Sequence, residues 1–362
     1  MTFNAEFGKI KVVVMQTNAT KIYKLIGAEA VLTEAEDLRK YLTGFSSSYG
    51  YVLSDANGTV FYTDSRYVEG ASAFLKDTDI CVKQFTGSIE ELLKGYKEVA
   101  VPLGRTLYYD YEKLNSAGLK IVDSLPAFTQ AMSVKQSYEL ELIEKACKIA
   151  DDAFTSLKGK IKEGMSENEV AALLEYEMRK FGASGTSFDT IVAFGKNSSV
   201  PHHEIGLSKL KFGDVVLIDF GCKFKGYCSD CTRTLLFGDD KKHNEFKEAY
   251  LKVLEAHMLA KDKITCNMSG AEADAIARNC LKKYGLDKYF THSLGHGIGI
   301  NIHEFPRLSP KSSDTLVNDM VFSDEPGVYF EGEFGIRIED TVTLKDGRVL
   351  SLTDSDKKLT IL

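Results

Sequence analysis

The sequence predicts an α+β protein of two domains, the second built from a repeated unit. Three observations point there. The chain's 362 residues exceed one ordinary domain and suit about two, at roughly 150 residues each. The first third reads as strands alternating with helices. The remainder carries two matched helical segments, each followed by strand-like sequence.

In the first third, "YGYVLS" and "TVFYTD" are β-rich runs on either side of Asp55-Ala56-Asn57-Gly58, and Asn-Gly between such runs is a strong hairpin signal. Further strands are expected at "DICVKQF", "EVAVPLG" and "LKIVDS", with a helix at "SIEELLKGY". The pattern changes at "SLPAFTQAMSVKQ", which contains Pro126 and leads into a long amphipathic helix, "YELELIEKACKIADDAFTSLKGKI". Ser133 followed by Gln136 suggests a capping box at its start. The boundary is placed there, giving domains of residues 1–130 and 131–362.

The repeat lies beyond it. "MSENEVAALLEYEMRKFG" and "MSGAEADAIARNCLKKYG" have the same length, open on Met-Ser, carry Glu three after the Ser, and close on Lys-aromatic-Gly. Those are start and stop signals that any two helices can share. Each here precedes strand-like sequence rich in His, Asp and Glu, which favours a duplicated unit about a pseudo-twofold axis. A site would then lie between the halves.

Composition narrows the function classes. Hydrophobic residues make up 44% and charged ones 27%, the mix of a globular protein with a sizeable core. A formal net charge of −7 argues against nucleic acid or an acidic membrane surface as the main partner. No apolar run approaches the roughly 18 residues of a membrane span. The opening "MTFNAEFGKIKVVVMQTNAT" has no signal-peptide pattern, so the cytoplasm is expected. Seven cysteines, an odd number scattered along the chain, read as free thiols. Cys228-Ser-Asp-Cys231 fits C-x-x-C, but a zinc knuckle would want a second ligand pair and a redox motif usually opens a helix. Strand-like flanks make these cysteines packing residues that bracket Asp230 on the other sheet face.

The acids carry the chemistry. Asp219 ends the apolar run Val215-Val216-Leu217-Ile218, and Asp230 follows in "DFGCKFKGYCSDCTRT". A hairpin turning within "CKFKG" sets Asp219 opposite Asp230, with Cβ atoms roughly 4.5–5.5 Å apart. Buried carboxylates so placed repel each other unless one is protonated or cations lie between them. "DEPGVYFEGEFGIRIED" repeats the device: about a turn near Gly332, Glu325 faces Glu339. Four interior acids call for two divalent ions. "THSLGHGIGINIHEF" adds His292, His296 and His303, with Gly295, Gly297 and Gly299 permitting close approach to a ligand or positive φ. A lone histidine is more often an ordinary partner; clustering favours ligation. One imidazole among oxygen ligands suits manganese, cobalt, iron or zinc better than magnesium or calcium. Two such ions about 3.5–4 Å apart activate water and polarise a carbonyl, which points to hydrolysis of an amide-like bond and leaves the substrate open.

Taken in order, "DFGCKFKGYCSDCTRT", "SLGHGIGINIHE", "DEPGVYF" and "GIRIEDTV" resemble the metallopeptidases of the pita-bread fold, among them aminopeptidase P, prolidase and methionine aminopeptidase. The resemblance implies metal ligands at Asp219, Asp230, His296, Glu325 and Glu339, with Asp230 and Glu339 shared by two ions. Asp219 would serve one ion, His296 and Glu325 the other, and Glu325 would also accept a proton from water. It further implies that His202, in preference to the adjacent His203, and His303 assist catalysis by hydrogen bonding at the substrate. His292 would stand on the substrate side, Tyr329 would line the pocket, and Arg337 would orient an acid beside the substrate.

"YLTGFSSSYGYVLSDANGTVFYTDSRYVEGA" is similar to the creatinase-type N-terminal domain of aminopeptidase P and prolidase. The expected architecture is thus a creatinase-like α/β domain followed by a pita-bread catalytic domain. Residues 1–40 do not display the arginine-bearing helix usual there. The implied activity is cleavage of an Xaa-Pro bond at the N-terminus of a peptide or in a dipeptide. Two divalent ions would serve it, Mn2+ first and Co2+, Zn2+ or Fe2+ as alternatives, in a homodimer without nucleic-acid or membrane partners. The alternative is an inactive module of the same fold that binds partners, which would be expected to have lost ligands.

Overall fold

The computed structural model describes residues 16–239 and 243–362. The expectation of no leader falls on residues 1–15, outside those described. The chain divides into two compact units between Ala131 and Met132.

The first unit comprises α1 (Gln16–Ile26), β1 (Ala30–Thr33), α2 (Glu36–Thr43), β2 (Tyr51–Asp55), β3 (Gly58–Thr63), α3 (Val68–Leu75), β4 (Ile80–Gln84), α4 (Ile89–Leu92), β5 (Glu98–Val101), α5 (Tyr108–Ser116) and β6 (Lys120–Asp123). Its sheet runs β4-β3-β2-β1-β5-β6. The Asn57-Gly58 turn joins β2 to β3, where Asp55 pairs with Gly58. The helix expected over "SIEELLKGY" is shorter than its sequence suggests. Contrary to expectation, an early helix does carry an arginine: Arg39 of α2 is buried, and its guanidinium donates to Glu34 O and Ser47 O. Local carbonyls, not an acid, hold it, so sequence patterning gave no sign of it.

α6 (Leu125–Ser133) leads into the second unit, which begins with α7 (Ser137–Lys158) and α8 (Glu167–Lys180). The capping box of α7 is formed by Gln136 and Glu139, three residues later than Ser133 would place it, because Ser133 is still inside α6. Next come β7 (Gly185–Thr186), β8 (Ile191–Phe194), β9 (Asp214–Phe220), β10 (Cys222–Phe224), β11 (Tyr227–Cys228) and β12 (Cys231–Phe237). A second helix pair follows, α9 (Asn244–Lys263) and α10 (Gly270–Lys282), then β13 (Gly295–Gly297), β14 (Glu304–Leu308) and β15 (Val321–Asp324). The last strands are β16 (Gly327–Phe330), β17 (Phe334–Arg337), β18 (Glu339–Lys345) and β19 (Arg348–Ser351).

The duplication is visible in these elements. α8 and α10 open on complete capping boxes, Ser166 with Glu169 and Ser269 with Glu272, and their terminal Gly182 and Gly285 take positive φ. One sheet, β14-β13-β15-β18-β12-β9-β8 with β19 on β18, spans both halves. Phe154, Val170, Leu174 and Met178 of α7 and α8 share a core with Val216, Ile218 and Phe220 of β9. Val253, Ala277 and Leu281 of α9 and α10 do the same with Phe322, Val342 and Leu344 of β15 and β18. Each of these side chains larger than alanine contributes about 1.5–3 kcal/mol by leaving water. Because strand residues alternate between faces, the same packing turns Asp219, Ser323 and Glu339 to the opposite side. The helices thereby decide where the acids point.

Candidate metal centre

Asp219 does not sit opposite Asp230. In the β9–β12 ladder Asp219 pairs with Thr232, and Cys231 with Phe220. The reason is the turn: Lys225 and Gly226 both take positive φ, at 50° and 92°, as a two-residue type I′ turn requires. The hairpin therefore pivots one residue later than the sequence reading placed it. A shift of two in register preserves the face, so Asp219 and Asp230 still share a side. Asp230 lies in the break between β11 and β12, held through its backbone by Thr341, whose Oγ1 donates to Asp230 O at 2.7 Å and accepts from Asp230 N at 3.0 Å.

The second pairing holds as read. β15 and β18 are in register from Val321↔Thr343 to Asp324↔Asp340, and Gly327↔Arg337 of β16 and β17 continues the same register. Glu325 and Glu339 face each other between these pairs. His296 comes from β13, whose close approach to β15 depends on Gly295: a Cβ there would stand 1.9 Å from Ser323 O. Gly297 and Gly299 likewise abut Phe305 O and the Glu304 carboxylate. Neighbouring chain, not a ligand or positive φ, demands these glycines.

Ligand atoms of Asp230, His296 and Glu339 all lie within 4.8 Å of one another. Nε2 of His296 is 3.5 Å from both Asp230 Oδ2 and Glu325 Oε1. Its Nδ1 stands 3.1 Å from Gly297 O, a contact that assigns the proton to Nδ1 and leaves the Nε2 lone pair facing the acids. Asp219 Oδ2 accepts from Arg337 Nη2 at 2.7 Å, while its buried Oδ1 has no hydrogen-bond partner. Burial, compounded by the neighbouring acids, pushes the carboxyls of Asp230 and Glu339 well above the usual range. Glu325 is pushed up to about 8, chiefly by burial. Burial and then His303 hold His296 down to about 4, so it is neutral. Clustered acids that resist ionisation, a neutral imidazole and an orphaned carboxylate oxygen together fit divalent cations.

A cavity of about 760 Å³ opens over this group, lined among others by His202, His292, His303 and Arg307. The rings of His303 and His296 are 4.3 Å apart. His203 is engaged elsewhere, its Nε2 3.0 Å from Glu167 Oε2, so His202 is the one at the cavity. His292 Nδ1 stands 2.8 Å from Ser293 O, and its Nε2 is 2.9 Å from Tyr329 OH. Tyr329 is buried behind His292, where its hydroxyl accepts from Arg337 Nη1 at 2.7 Å. Arg337 also donates from Nε to Thr232 Oγ1 and from Nη1 to Pro201 O, so its guanidinium is committed to the protein.

Sequence reasoning missed Thr232, whose Oγ1 donates to Glu339 Oε2 at 2.5 Å; its alternation with Asp230 was the available signal. It also missed Arg307, which pairs with His296 across β13 and β14. The cysteines are all free. Burial raises Cys228 to about 11 and holds Cys231 well above the ordinary thiol value; both are inert packing groups.

The chain is similar to proteins of known family and structure. Residues 141–346 match the model of metallopeptidase family M24, and residues 17–134 that of the creatinase/prolidase N-terminal domain. The chain is 37% identical over 315 residues to an Xaa-Pro dipeptidase of Pyrococcus furiosus, covering 86% of this chain and 88% of that one. An X-Pro aminopeptidase from Thermotoga maritima superposes with a TM-score of 0.87 at 35% identity, covering 94% of this chain and all of that one. An Xaa-Pro dipeptidase from Bacillus anthracis gives 0.90 at 33%, covering 97% and 100%. The architecture is thus a creatinase-type domain followed by a pita-bread domain, and an inactive module stripped of its ligands is not what the site looks like. The chain belongs to metallopeptidase family M24, a family of dinuclear metal-dependent hydrolases.

Proposed function

We propose that the protein hydrolyses the bond between an N-terminal residue and a following proline, with Xaa-Pro dipeptides as its preferred substrates. The observation that carries the metal assignment is the convergence of Asp230, His296 and Glu339 within 4.8 Å, with Asp219 and Glu325 beside them. These five residues would hold two ions, Asp230 and Glu339 between both, Asp219 on one, His296 and Glu325 on the other. Manganese is the first choice because carboxylates dominate the donor set. When bound, such ions polarise the scissile carbonyl and acidify water.

The chain's own groups do the rest. Glu325, steadied by the Ser323 hydroxyl at 3.0 Å, takes the proton of the attacking water and returns it to the proline nitrogen as the C–N bond breaks. His202 and His303, at the cavity wall, donate hydrogen bonds to the substrate carbonyl oxygen as negative charge develops there. An Xaa-Pro amide has no N–H, so recognition depends on shape and on the carbonyl.

Arg307 supports the dipeptide reading. It lines the cavity, faces His296 across the ladder, and among the described residues enters no ion pair. A cation so placed suits the free carboxylate of a dipeptide's proline. The proposal extends to a cytoplasmic homodimer, for which sedimentation gives the oligomeric state. No helix among the described residues is long and apolar enough to cross a membrane.

Manganese-loaded protein should cleave Xaa-Pro faster than Xaa-Pro-Xaa. Glu325→Gln should keep most of its metal and lose roughly 10²–10⁴ in rate. Full activity in that variant would reject the proton-transfer role.

A further inference from the structure

Behind the metal centre, on the sheet face turned from the cavity, lies a buried charged network that the proposed reaction does not use. The ladder joining β12 to β18 has only two rungs, Cys231↔Asp340 and Thr232↔Glu339. Where it stops, the fully buried guanidinium of Arg233 takes over. Nη1 donates to Thr232 O and Glu339 O. Nη2 donates to Asp340 Oδ1 at 2.8 Å and Ser355 O at 2.7 Å. Nε is shared between Ser355 O and Asp356 O, 3.2 Å from each. The next residue closes the other side: Lys357 Nζ lies 2.9 Å from Asp340 Oδ2.

The segment supplying these groups is itself anchored on α7 and α9. Asp151 of α7 accepts from Asp354 N at 2.7 Å, from Ser355 N at 2.9 Å and from the Ser355 hydroxyl. The Tyr250 hydroxyl donates to Lys357 O at 2.9 Å. A buried ion network adds little stability over apolar packing of equal volume. What it adds is geometry, since a planar guanidinium fixes several acceptors at once.

We infer that residues 355–357 are a working part of the metal centre: through Arg233 and Asp340 they fix the backbone of Glu339, and so aim a carboxylate at the ions. Arg233, Asp340 and Lys357 are positioning residues, because none touches the cavity. This rests on the metal assignment to Glu339 proposed above.

Titration of the metal-free protein with Mn2+ alone, by calorimetry or against a chelator, tests it in Asp151→Ala, Lys357→Met and Arg233→Lys. Each should bind Mn2+ at least ten-fold more weakly, within the roughly 10–100-fold range typical of partners behind a metal ligand, with unchanged circular dichroism. Ser269→Ala, at a helix start, is the control that lowers thermal stability without altering Mn2+ affinity. Affinities within two-fold of wild type in Asp151→Ala and Lys357→Met would overturn the inference, whether or not Arg233→Lys folds. Failure of the metal reading looks different: wild-type protein would then take up no Mn2+, or Glu339→Gln would bind it as wild type does.

Discussion

Nε2 of His203 stands 3.0 Å from Oε2 of Glu167, and this contact separates two adjacent histidines by role. Glu167 is fully buried. Its carboxylate also accepts from Phe194 N at 2.9 Å, Asn197 Nδ2 at 2.8 Å and Gly206 N at 3.1 Å. It thus ties both ends of the loop that presents His202 to the cavity. Replacing it with alanine strands two backbone donors, and each costs about 1–3 kcal/mol. Urea denaturation of Glu167→Ala should register a loss of that order. Steady-state kinetics should separate the histidines: His202→Ala loses roughly 10²-fold in kcat, and His203→Ala mainly lowers stability.

Removing the metal should invert the usual pH dependence of stability. In the metal-free protein Glu325 titrates near 8 instead of its ordinary 4.5. Between those values the folded chain holds a proton that the unfolded chain has released. Stability therefore falls as pH rises through that window. Asp230 and Glu339, raised by the same burial, add to this slope and outweigh the opposite one from His292 and His296, so metal-free protein should melt at a lower temperature at pH 7.5 than at pH 5.5. Excess Mn2+ at a thousand times its Kd should restore about 4 kcal/mol, with proton release on binding. Equal binding enthalpies in two buffers of different ionisation heat would contradict this, because they would mean that no proton is released.

The paired capping boxes predict matched behaviour in the two halves. Ser166→Ala and Ser269→Ala remove the same bond from helices α8 and α10, and each should cost about 1 kcal/mol. The Ser166 backbone N–H, with Lys209, holds the Glu169 carboxyl at about 2. Its contribution is present above the ordinary 4.5 and is lost as pH falls toward 2. Chemical denaturation of both variants at neutral pH measures the pair.

What the sequence made legible follows from how each feature is encoded. The capping boxes of α8 and α10 and the Asn57-Gly58 turn are local, and they stand where the letters put them; the one read at Ser133 does not, because α6 runs through that residue. The Glu325–Glu339 pairing was readable because its turn is symmetric about Gly332. Asp219 and Asp230 were read one turn residue too early, since nothing in "CKFKGY" says which pair of residues will take positive φ. Thr232, Arg233 and Glu167 were invisible because their partners are far along the chain: Arg233 meets Ser355 and Asp356, and Glu167 meets a loop that begins at Phe194. Arg307 escaped notice because its meaning depends on the bulged register after His296 that sets the two residues against each other.

That placement gives the sharpest test of substrate choice. Arg307 is exposed, its guanidinium rests 5.3 Å from the Phe305 ring centroid, and its backbone N–H is fixed by Asp314 Oδ2 at 2.8 Å. The side chain is thus anchored at its base and against one ring, and among the described residues its tip pairs with no acid. A dipeptide places its proline carboxylate one residue beyond the scissile bond; a longer peptide puts a neutral amide there. A hydrogen bond to a charged group is worth about 1.5–3 kcal/mol, so Arg307→Leu should raise KM for Xaa-Pro roughly ten- to hundred-fold. Turnover of Xaa-Pro-Xaa should change little, because its amide has no charge to lose. Parallel kinetics on the two substrates decide the matter: equal losses on both would make Arg307 a structural residue and remove the argument for dipeptide preference.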